Sequence, residues 1–140
     1  MRFWDASAIV PLCCQQPASH LVESIAYRDG ELVVWWASPV ECASALARLR
    51  REGGLSTRGL MEALSALTAL RSSWTEVLAG EMVRGHAERL VHVHPLRAAD
   101  ALQLGSALVW ALSEPSGLTV VSLDDRLRAV ALLEGFTVAP

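Results

Sequence analysis

The chain has 140 residues, of which 52% are hydrophobic, and a formal net charge of −3 at pH 7. This length predicts one domain over residues 1–140, and the composition excludes a disordered chain. The negative charge argues against broad coating of nucleic acid, and no apolar stretch reaches the roughly 20 residues that a membrane span needs. Because Asp5 interrupts the first apolar run, no signal peptide is expected, and the expected location is the cytosol.

Hydrophobic periodicity and turn residues divide the chain into short strands separated by helices. The predicted strands cover residues 2–4, 31–35, 74–77, 118–121 and 136–138. Between the first two strands we predict a helical turn up to Pro11 and a helix from Pro17 to Asp29, and after the second strand a helix from Ser38 to Gly53 and another from Ser56 or Thr57 through Leu70. The remaining predicted helices cover about 79–90, about 96–112 and Asp124 to Gly135. Strands joined by helical crossovers imply an α/β fold with a mainly parallel sheet covered on both faces.

Four acids stand where a predicted helix begins or has just begun: Asp5, Glu41, Asp100 and Asp124. Two of them follow predicted strands, and the carboxyl ends of parallel strands share one edge, where ligands bind. Carboxylates gathered at one edge repel each other unless a divalent cation neutralises them. The sequence therefore predicts a magnesium or manganese site at this edge.

Each acid also has a purely structural explanation, and taken singly each leaves both explanations open. The structural alternatives are helix caps by Asp5 and Asp124, a capping box between Ser38 and Glu41, a capping pair between Ser122 and Asp125, and pairing of Asp100 with Arg97. Asp100 is the hardest to explain structurally, because Asp is a poor helix former and the surrounding helix is strongly apolar.

Four segments around these acids resemble the signature segments of the PIN domain. They are Asp5-x-Ser7-Ala8, Glu41 at its helix start, Leu96-Arg97-Ala98-Ala99-Asp100-Ala101-Leu102 and Val121-Ser122-Leu123-Asp124-Asp125-Arg126-Leu127. Their order, their separations and the chain length are most similar to the VapC-like ribonuclease toxins of VapBC toxin–antitoxin pairs. The resemblance extends from residue 2 to about residue 138.

The resemblance implies a three-layer α/β/α PIN-like domain that acts as a metal-dependent endoribonuclease toxin. It assigns Asp5, Asp100 and Asp124 to holding Mg²⁺, for which Mn²⁺ is expected to substitute. It assigns Glu41 either to ligating the ion or to orienting the attacking water. A metal held by carboxylates lowers the pKa of a bound water and neutralises charge on the phosphodiester. The supporting small polar positions are Ser7 and Ser122.

Two positions depart from the family pattern. Gln103 stands where a His is frequent, and Asp125 adds an acid beside Asp124. Asp124 is the better candidate to face the metal, because it comes two residues after Ser122 and directly before the helix.

The expected partners are an RNA substrate, a cognate antitoxin and a second copy of the chain. All 12 basic residues are Arg, whose guanidinium binds phosphate bidentately, although a coding bias also explains this composition. A cluster of three is the candidate to bind RNA or an acidic segment of a partner: Arg48, Arg50 and Arg51. Apolar residues around Leu60–Leu70 are a candidate surface for the antitoxin or a second copy.

Other patterns in the sequence give weaker evidence about function. Three cysteines, an odd number without zinc-finger spacing, predict reduced thiols, some of them buried: Cys13, Cys14 and Cys42. His92 and His94 have no third metal ligand nearby in sequence and are predicted to be ordinary loop or strand residues. A haloacid-dehalogenase phosphatase needs a second Asp where Ser7 stands, and a chain without Lys has no P-loop.

Two rival functions stay open at the level of sequence. One is a PIN-like nuclease acting on DNA or structured flaps, which substrate preference separates from an RNase. The other is a non-catalytic PIN-like module that only binds a partner. Intact acids at four positions argue against the second rival, because binding alone does not require carboxylates that repel each other.

Overall fold

A computed structural model describes residues 1–140. Its strands are β1 (Arg2–Trp4), β2 (Leu32–Trp35), β3 (Thr75–Val77), β4 (Thr119–Val121) and β5 (Thr137–Ala139). Its helices are α1 (Ala6–Cys13), α2 (Ser19–Asp29), α3 (Ser38–Arg51), α4 (Thr57–Arg71), α5 (Glu81–Val93), α6 (Ala98–Trp110) and α7 (Asp125–Leu133). None of these helices has the length and apolar character needed to cross a membrane.

The five strands form one sheet in the order β3-β2-β1-β4-β5, and every neighbouring pair is parallel. Successive side chains of a strand point to opposite faces of the sheet. In β1, Phe3 therefore packs against α5, α6 and α7, whereas Trp4 packs against the helices α1 to α4. The strands β2 and β4 divide in the same way, so the predicted three-layer α/β/α fold is confirmed.

Helices α5 and α6 lie unusually close together on their face of the sheet. A Cβ atom at Gly105 would lie 3.0 Å from the Val83 carbonyl oxygen and 3.1 Å from the Ala87 amide nitrogen. Only glycine fits this contact without moving the backbone. The contact fixes the position of α6, which carries Asp100 into the edge of the sheet described below.

Several helix ends differ from the sequence prediction by a few residues, and two of these differences have a clear physical reason. Helix α1 continues through Pro11 to Cys13, since the proline removes one backbone donor without ending the short helix. Helix α5 continues past Leu90 to Val93, so the placement of His92 in a loop or strand is wrong. The helix stops at His94 because Pro95 disfavours helical geometry in the residue before it.

The predicted capping box at the start of α3 is also wrong. Ala37 is the N-cap and makes no side-chain cap, while Ser38 is the first helical residue. The Ser38 side chain is fully buried, and its hydroxyl donates to the Gln103 side chain across a long contact of 3.5 Å. The box fails because Ser38 lies inside the helix and not at the N-cap, which leaves Glu41 without a capping role.

The cysteines match their prediction. All three are free thiols, and two of them are buried in the core beneath α1 and α3. Burial raises the pKa of Cys13 to about 12 and raises that of Cys42 further, so both stay protonated at neutral pH.

Candidate active site

The site lies where the strand order reverses. Strands β1 and β4 are neighbours in the sheet, yet the chain runs outward from β1 toward β2 and outward from β4 toward β5. In such sheets the loops after the two strands diverge and leave a crevice at their carboxyl ends. Asp5 follows β1 directly, and Ser122 follows β4, so both residues reach this crevice.

A cavity of about 690 Å³ opens at the crevice. All four acids predicted from the sequence line it: Asp5, Glu41, Asp100 and Asp124. Ser7 also lines the cavity, whereas Ser122 is buried behind it. Asp125 is exposed and does not line the cavity, so of the two neighbouring acids only Asp124 faces it.

The Asp5 carboxylate is buried and held by donors on both oxygens. Its Oδ2 accepts the Ser122 hydroxyl at 2.9 Å, the Ser7 backbone N–H at 3.2 Å and the Ser7 hydroxyl. Its Oδ1 accepts only the Gln103 side-chain amide, at 2.7 Å. The contact with the Ser7 amide also makes Asp5 the N-cap of α1, as predicted. A cap and a place in the cavity are therefore compatible.

The two serines join the loops on either side of the crevice. The Ser7 hydroxyl, which donates to Asp5, accepts the Leu123 backbone N–H at 2.8 Å. The Ser122 hydroxyl, which also donates to Asp5, accepts the Asp124 backbone N–H at 3.1 Å. Each hydroxyl thus serves as donor and acceptor at once, and together they lock the loop after β4 onto the loop after β1.

Asp124 is the N-cap of α7, with Oδ1 accepting the Leu127 backbone N–H at 2.9 Å. Its second oxygen makes no hydrogen bond within the chain and is available to a ligand. The predicted capping pair of Ser122 and Asp125 is wrong, because Ser122 is engaged by Asp5 and the cap falls two residues later.

Burial raises the pKa of two acids, and the charges of neighbouring acids add to the effect. Burial, with smaller contributions from Asp5 and Asp100, raises the pKa of Glu41 to about 7. Burial also raises the pKa of Asp100, assisted by the charges of Asp124 and Asp5 and opposed by the Arg97 backbone amide and by Arg126. Asp100 forms no ion pair with the Arg97 side chain, so that structural alternative is wrong.

The cavity suits a hard divalent cation. Its acidic lining supplies oxygen donors, and neither His nor Cys lines it. No three His, Cys, Asp or Glu side chains converge into a complete ligand set. Mg²⁺ does not need one, because it keeps several waters and binds proteins through one or two carboxylates. The spread carboxylates and their raised pKa values therefore fit Mg²⁺ or Mn²⁺ with water completing the coordination.

The three arginines of the predicted cluster do not all lie next to the cavity. Arg48 lines the cavity beside the acids. Arg50 donates to the Thr57 hydroxyl at 3.0 Å and does not line the cavity. Arg51 is exposed and lies outside the cavity as well. Only one of the three guanidinium groups therefore stands next to the site.

Sequence reasoning assigned no role in the site to three polar residues, although it named Gln103 as a departure from the family pattern. Ser44 lines the cavity between Glu41 and Arg48, and these three follow the i, i+3, i+7 spacing of one helix face. Gln103 follows Asp100 by three residues and bonds to Asp5. Helical spacing from each acid carries the signal for both. The third residue is Gln16, which lies in a loop and has no such signal.

Comparison with known proteins agrees with this geometry. No protein-family profile matches the chain. The crystal structure of PAE2754 from Pyrobaculum aerophilum has the same fold, with a TM-score of 0.66 and 22% identity over 98% of this chain and 81% of that one. The fold and the acidic cavity at its switch point define a PIN-like domain.

Two relatives give the family. The chain is 34% identical over 139 residues to ribonuclease VapC45 of Mycobacterium tuberculosis strain CDC 1551 and to ribonuclease VapC49 of strain H37Rv. These alignments cover 99% of this chain and 94% of each relative. The chain belongs to the VapC ribonuclease family, and the resemblance seen in the sequence is confirmed.

Proposed function

We propose that this chain is a Mg²⁺- or Mn²⁺-dependent endoribonuclease that acts in the cytosol as the toxin of a toxin–antitoxin pair. The observation that carries the proposal is the lining of one cavity, at the switch point of the sheet, by four acids from four distant segments. Membership of a family whose relatives are named ribonucleases supports RNA as the substrate.

The four acids would have different roles. Asp5, Asp100 and Asp124 would hold the ion, directly or through water. When bound, such an ion lowers the pKa of a water molecule and neutralises negative charge on the phosphodiester. Glu41, whose pKa lies near 7, is suited to accept or return a proton at neutral pH and would orient the attacking water. Ser7 and Ser122 keep the Asp5 carboxylate in place.

Arg48 would bind a phosphate of the RNA next to the scissile bond. It is the one basic residue that lines the cavity, and a guanidinium forks onto phosphate oxygens. Arg50 and Arg51 would contribute less, because neither lines the cavity.

The cognate antitoxin is the proposed protein partner, and a homodimer is proposed as well. Apolar side chains on α4 support a protein-binding surface, since Met61 is 68% exposed and Leu64 is 38% exposed while Leu67 on the same helix is buried. Met61 and Leu64 are one turn apart, so their side chains are neighbours on the helix surface, and contiguous exposed apolar residues mark surfaces that bind a partner.

The test is cleavage of single-stranded RNA by purified protein with Mg²⁺, with Mn²⁺ and with excess chelator. We expect cleavage only with metal. Asp5→Asn and Asp100→Asn should each lower kcat by roughly three orders of magnitude or more while the circular dichroism spectrum stays unchanged. Asp125→Asn is the matched control, since it neutralises a neighbouring acid outside the cavity. Cleavage that persists in excess chelator would overturn the metal dependence.

The rival DNA nuclease is tested with a DNA strand of the same sequence in the same assay. An RNase that depends on the 2′-hydroxyl or on RNA loops cleaves the RNA and spares the DNA. Equal cleavage of both strands would favour the rival.

A further inference from the structure

We propose that Gln103 is a positioning residue for Asp5, whose side-chain amide aligns the Asp5 carboxylate and leaves one acceptor site of Oδ1 for the cation. This inference rests on the proposed function, because it takes Asp5 as part of the metal site. Gln103 itself touches neither the ion nor the substrate in this scheme and acts through Asp5.

The hydrogen bonds of Asp5 single out Oδ1. Its Oδ2 accepts three donors, two from Ser7 and one from Ser122, and has no acceptor capacity left. Its Oδ1 accepts one donor, the Gln103 amide at 2.7 Å. A carboxylate oxygen accepts about two hydrogen bonds or ligands. Gln103 is therefore the sole protein partner of the oxygen that can still bind a cation.

The amide of Gln103 has only one workable orientation. Asp5, when ionised, can only accept hydrogen bonds, so the NH₂ group must face it. The opposite face meets the Ser38 hydroxyl, which can donate to the amide oxygen. Gln103 is 1% exposed and Ser38 is 0% exposed, so water does not compete for either group. The carboxylate is thus oriented by a side chain that is itself oriented.

Gln103 also connects the elements that carry the other acids. It lies three residues after Asp100 on α6, and Ser38 begins α3, which presents Glu41 one turn later. The side chain therefore links Asp5 on the β1 edge to both helices whose acids line the cavity. Loss of this link would change the spacing of the carboxylates as well as the angle of one of them.

Charge explains why an amide suits this position. A neutral donor orients Asp5 without consuming its negative charge. A carboxylate in its place would bring two acids to 2.7 Å, where one must take up a proton. An apolar side chain would leave Oδ1 without its orienting donor.

The experiment compares Gln103→Leu, Gln103→Glu and Gln103→His with the wild type, using Ser106→Ala as the matched control. Ser106 is buried on the same helix and bonds to the Gln103 main-chain oxygen, away from the carboxylate. The dissociation constant of Mn²⁺ is measured by calorimetry, and kcat and KM are measured separately on RNA. We expect Gln103→Leu and Gln103→Glu to weaken Mn²⁺ binding roughly 10–100-fold and to lower kcat with little change in KM.

Gln103→His should recover part of the loss, because a ring N–H can donate to the same oxygen, and Ser106→Ala should behave as wild type. Wild-type Mn²⁺ affinity and kcat in folded Gln103→Leu would overturn the inference. A lower melting temperature as the only change would overturn it too, since that is the mark of a merely structural residue.

A second readout needs neither metal nor RNA. The two side-chain amide protons of Gln103 should be well separated and slow to exchange in nitrogen-15 NMR spectra, and they should lose both features in Asp5→Ala. Unchanged signals would overturn the inference whatever the activity. Failure of the proposed function looks different, since wild-type protein would then neither bind Mn²⁺ nor cleave RNA.

Discussion

The acids at the two edges of the sheet differ in the partners that surround their carboxylates. At the amino edge, the buried carboxylate of Asp29 is matched by cations and a donor. Its Oδ1 lies 2.8 Å from the Met1 amine and 3.5 Å from the Arg2 guanidinium, and its Oδ2 accepts the Trp4 indole N–H at 2.9 Å. At the carboxyl edge, none of the four acids that line the cavity forms an ion pair within the chain.

Glu134 repeats the amino-edge pattern at the end of α7. It bonds to Arg89 and to His94, the latter at 2.7 Å, and the Arg89 hydrogen bond is the main cause of its lowered pKa. Glu41 and Asp100, at the other edge, have raised pKa values. An acid that is stabilised by its own partner is typical of structure. Acids whose pKa is raised by burial, and raised further by the charges of neighbouring acids, indicate a site that something else must neutralise.

The largest expected effect that separates the two edges is stabilisation by metal. Mn²⁺ at a hundredfold excess over its Kd should stabilise the wild type by about 2.7 kcal/mol. Asp100→Asn removes one of the repelling charges, so it should melt at a higher temperature than wild type in chelator and gain much less from Mn²⁺. Thermal melts of both proteins, with chelator and with Mn²⁺, measure this. An unchanged Mn²⁺ gain in the variant would remove Asp100 from the site.

Asp29→Asn should do the reverse. It breaks the ion pairs with the Met1 amine and Arg2, so the free energy of unfolding should fall by about 2 kcal/mol. The gain on adding Mn²⁺ should equal that of wild type, because the amino edge takes no part in the metal site. Urea unfolding with and without Mn²⁺ gives both quantities, and a stabilised Asp29→Asn would show that the contrast between the edges is false.

The fold, and the identity of the acids that line the cavity, could be predicted from the sequence for a physical reason. Buried parallel strands appear as short apolar runs, and the residue after such a run, as with Asp5 after β1, must lie at the carboxyl edge. Asp100 lies in the first turn of α6, which begins at the same edge. The structural explanations were not always rivals, since Asp5 and Asp124 are helix caps as well as cavity residues.

The hydrogen bonds that orient the acids could not be predicted from the sequence. The hydrogen bond between Gln103 and Asp5 joins residues 98 positions apart, and no local pattern specifies such a pair. Ser38 lies inside α3 and not at the predicted N-cap, and its buried hydroxyl faces the same Gln103 side chain. Local rules for helix ends therefore failed where a buried polar group offered a tertiary alternative.

Glu41 provides a smaller test through pH. Its pKa rises from an ordinary 4.5 to about 7 on folding, so ionisation is harder in the folded state than in the unfolded state. This acid therefore favours folding below about pH 4.5, and that contribution is lost as the pH rises through 7. Glu41→Gln should gain stability over wild type in chelator, by on the order of 1 kcal/mol above pH 7 after solvent screening and by little at pH 4.5.

Chemical unfolding of both proteins between pH 4.5 and pH 8 measures the difference. A gain that is equal at every pH would mean that neither burial nor the neighbouring acids raise the pKa of Glu41 in the folded protein. Asp125→Asn is the matched control, because this acid lies outside the cavity and should show no such dependence.

The smallest expected effect concerns the one arginine that lines the acidic cavity. Each lost phosphate contact on single-stranded nucleic acid makes log K less dependent on log salt by about 0.7. Arg48→Gln should therefore weaken RNA binding and flatten the salt dependence by about that amount, since Arg48 lines the cavity. Arg50→Gln removes the same charge two residues later on α3, where the guanidinium bonds to Thr57 instead, and should leave the slope close to wild type.

Binding is measured by fluorescence anisotropy of labelled RNA, with the catalytically impaired Asp5→Asn as the common background so that no substrate is cleaved. Equal slopes for the two arginine variants would mean that RNA runs along the exposed face of α3 rather than into the acidic cavity, and the partnership of Arg48 with the carboxyl edge would then be lost.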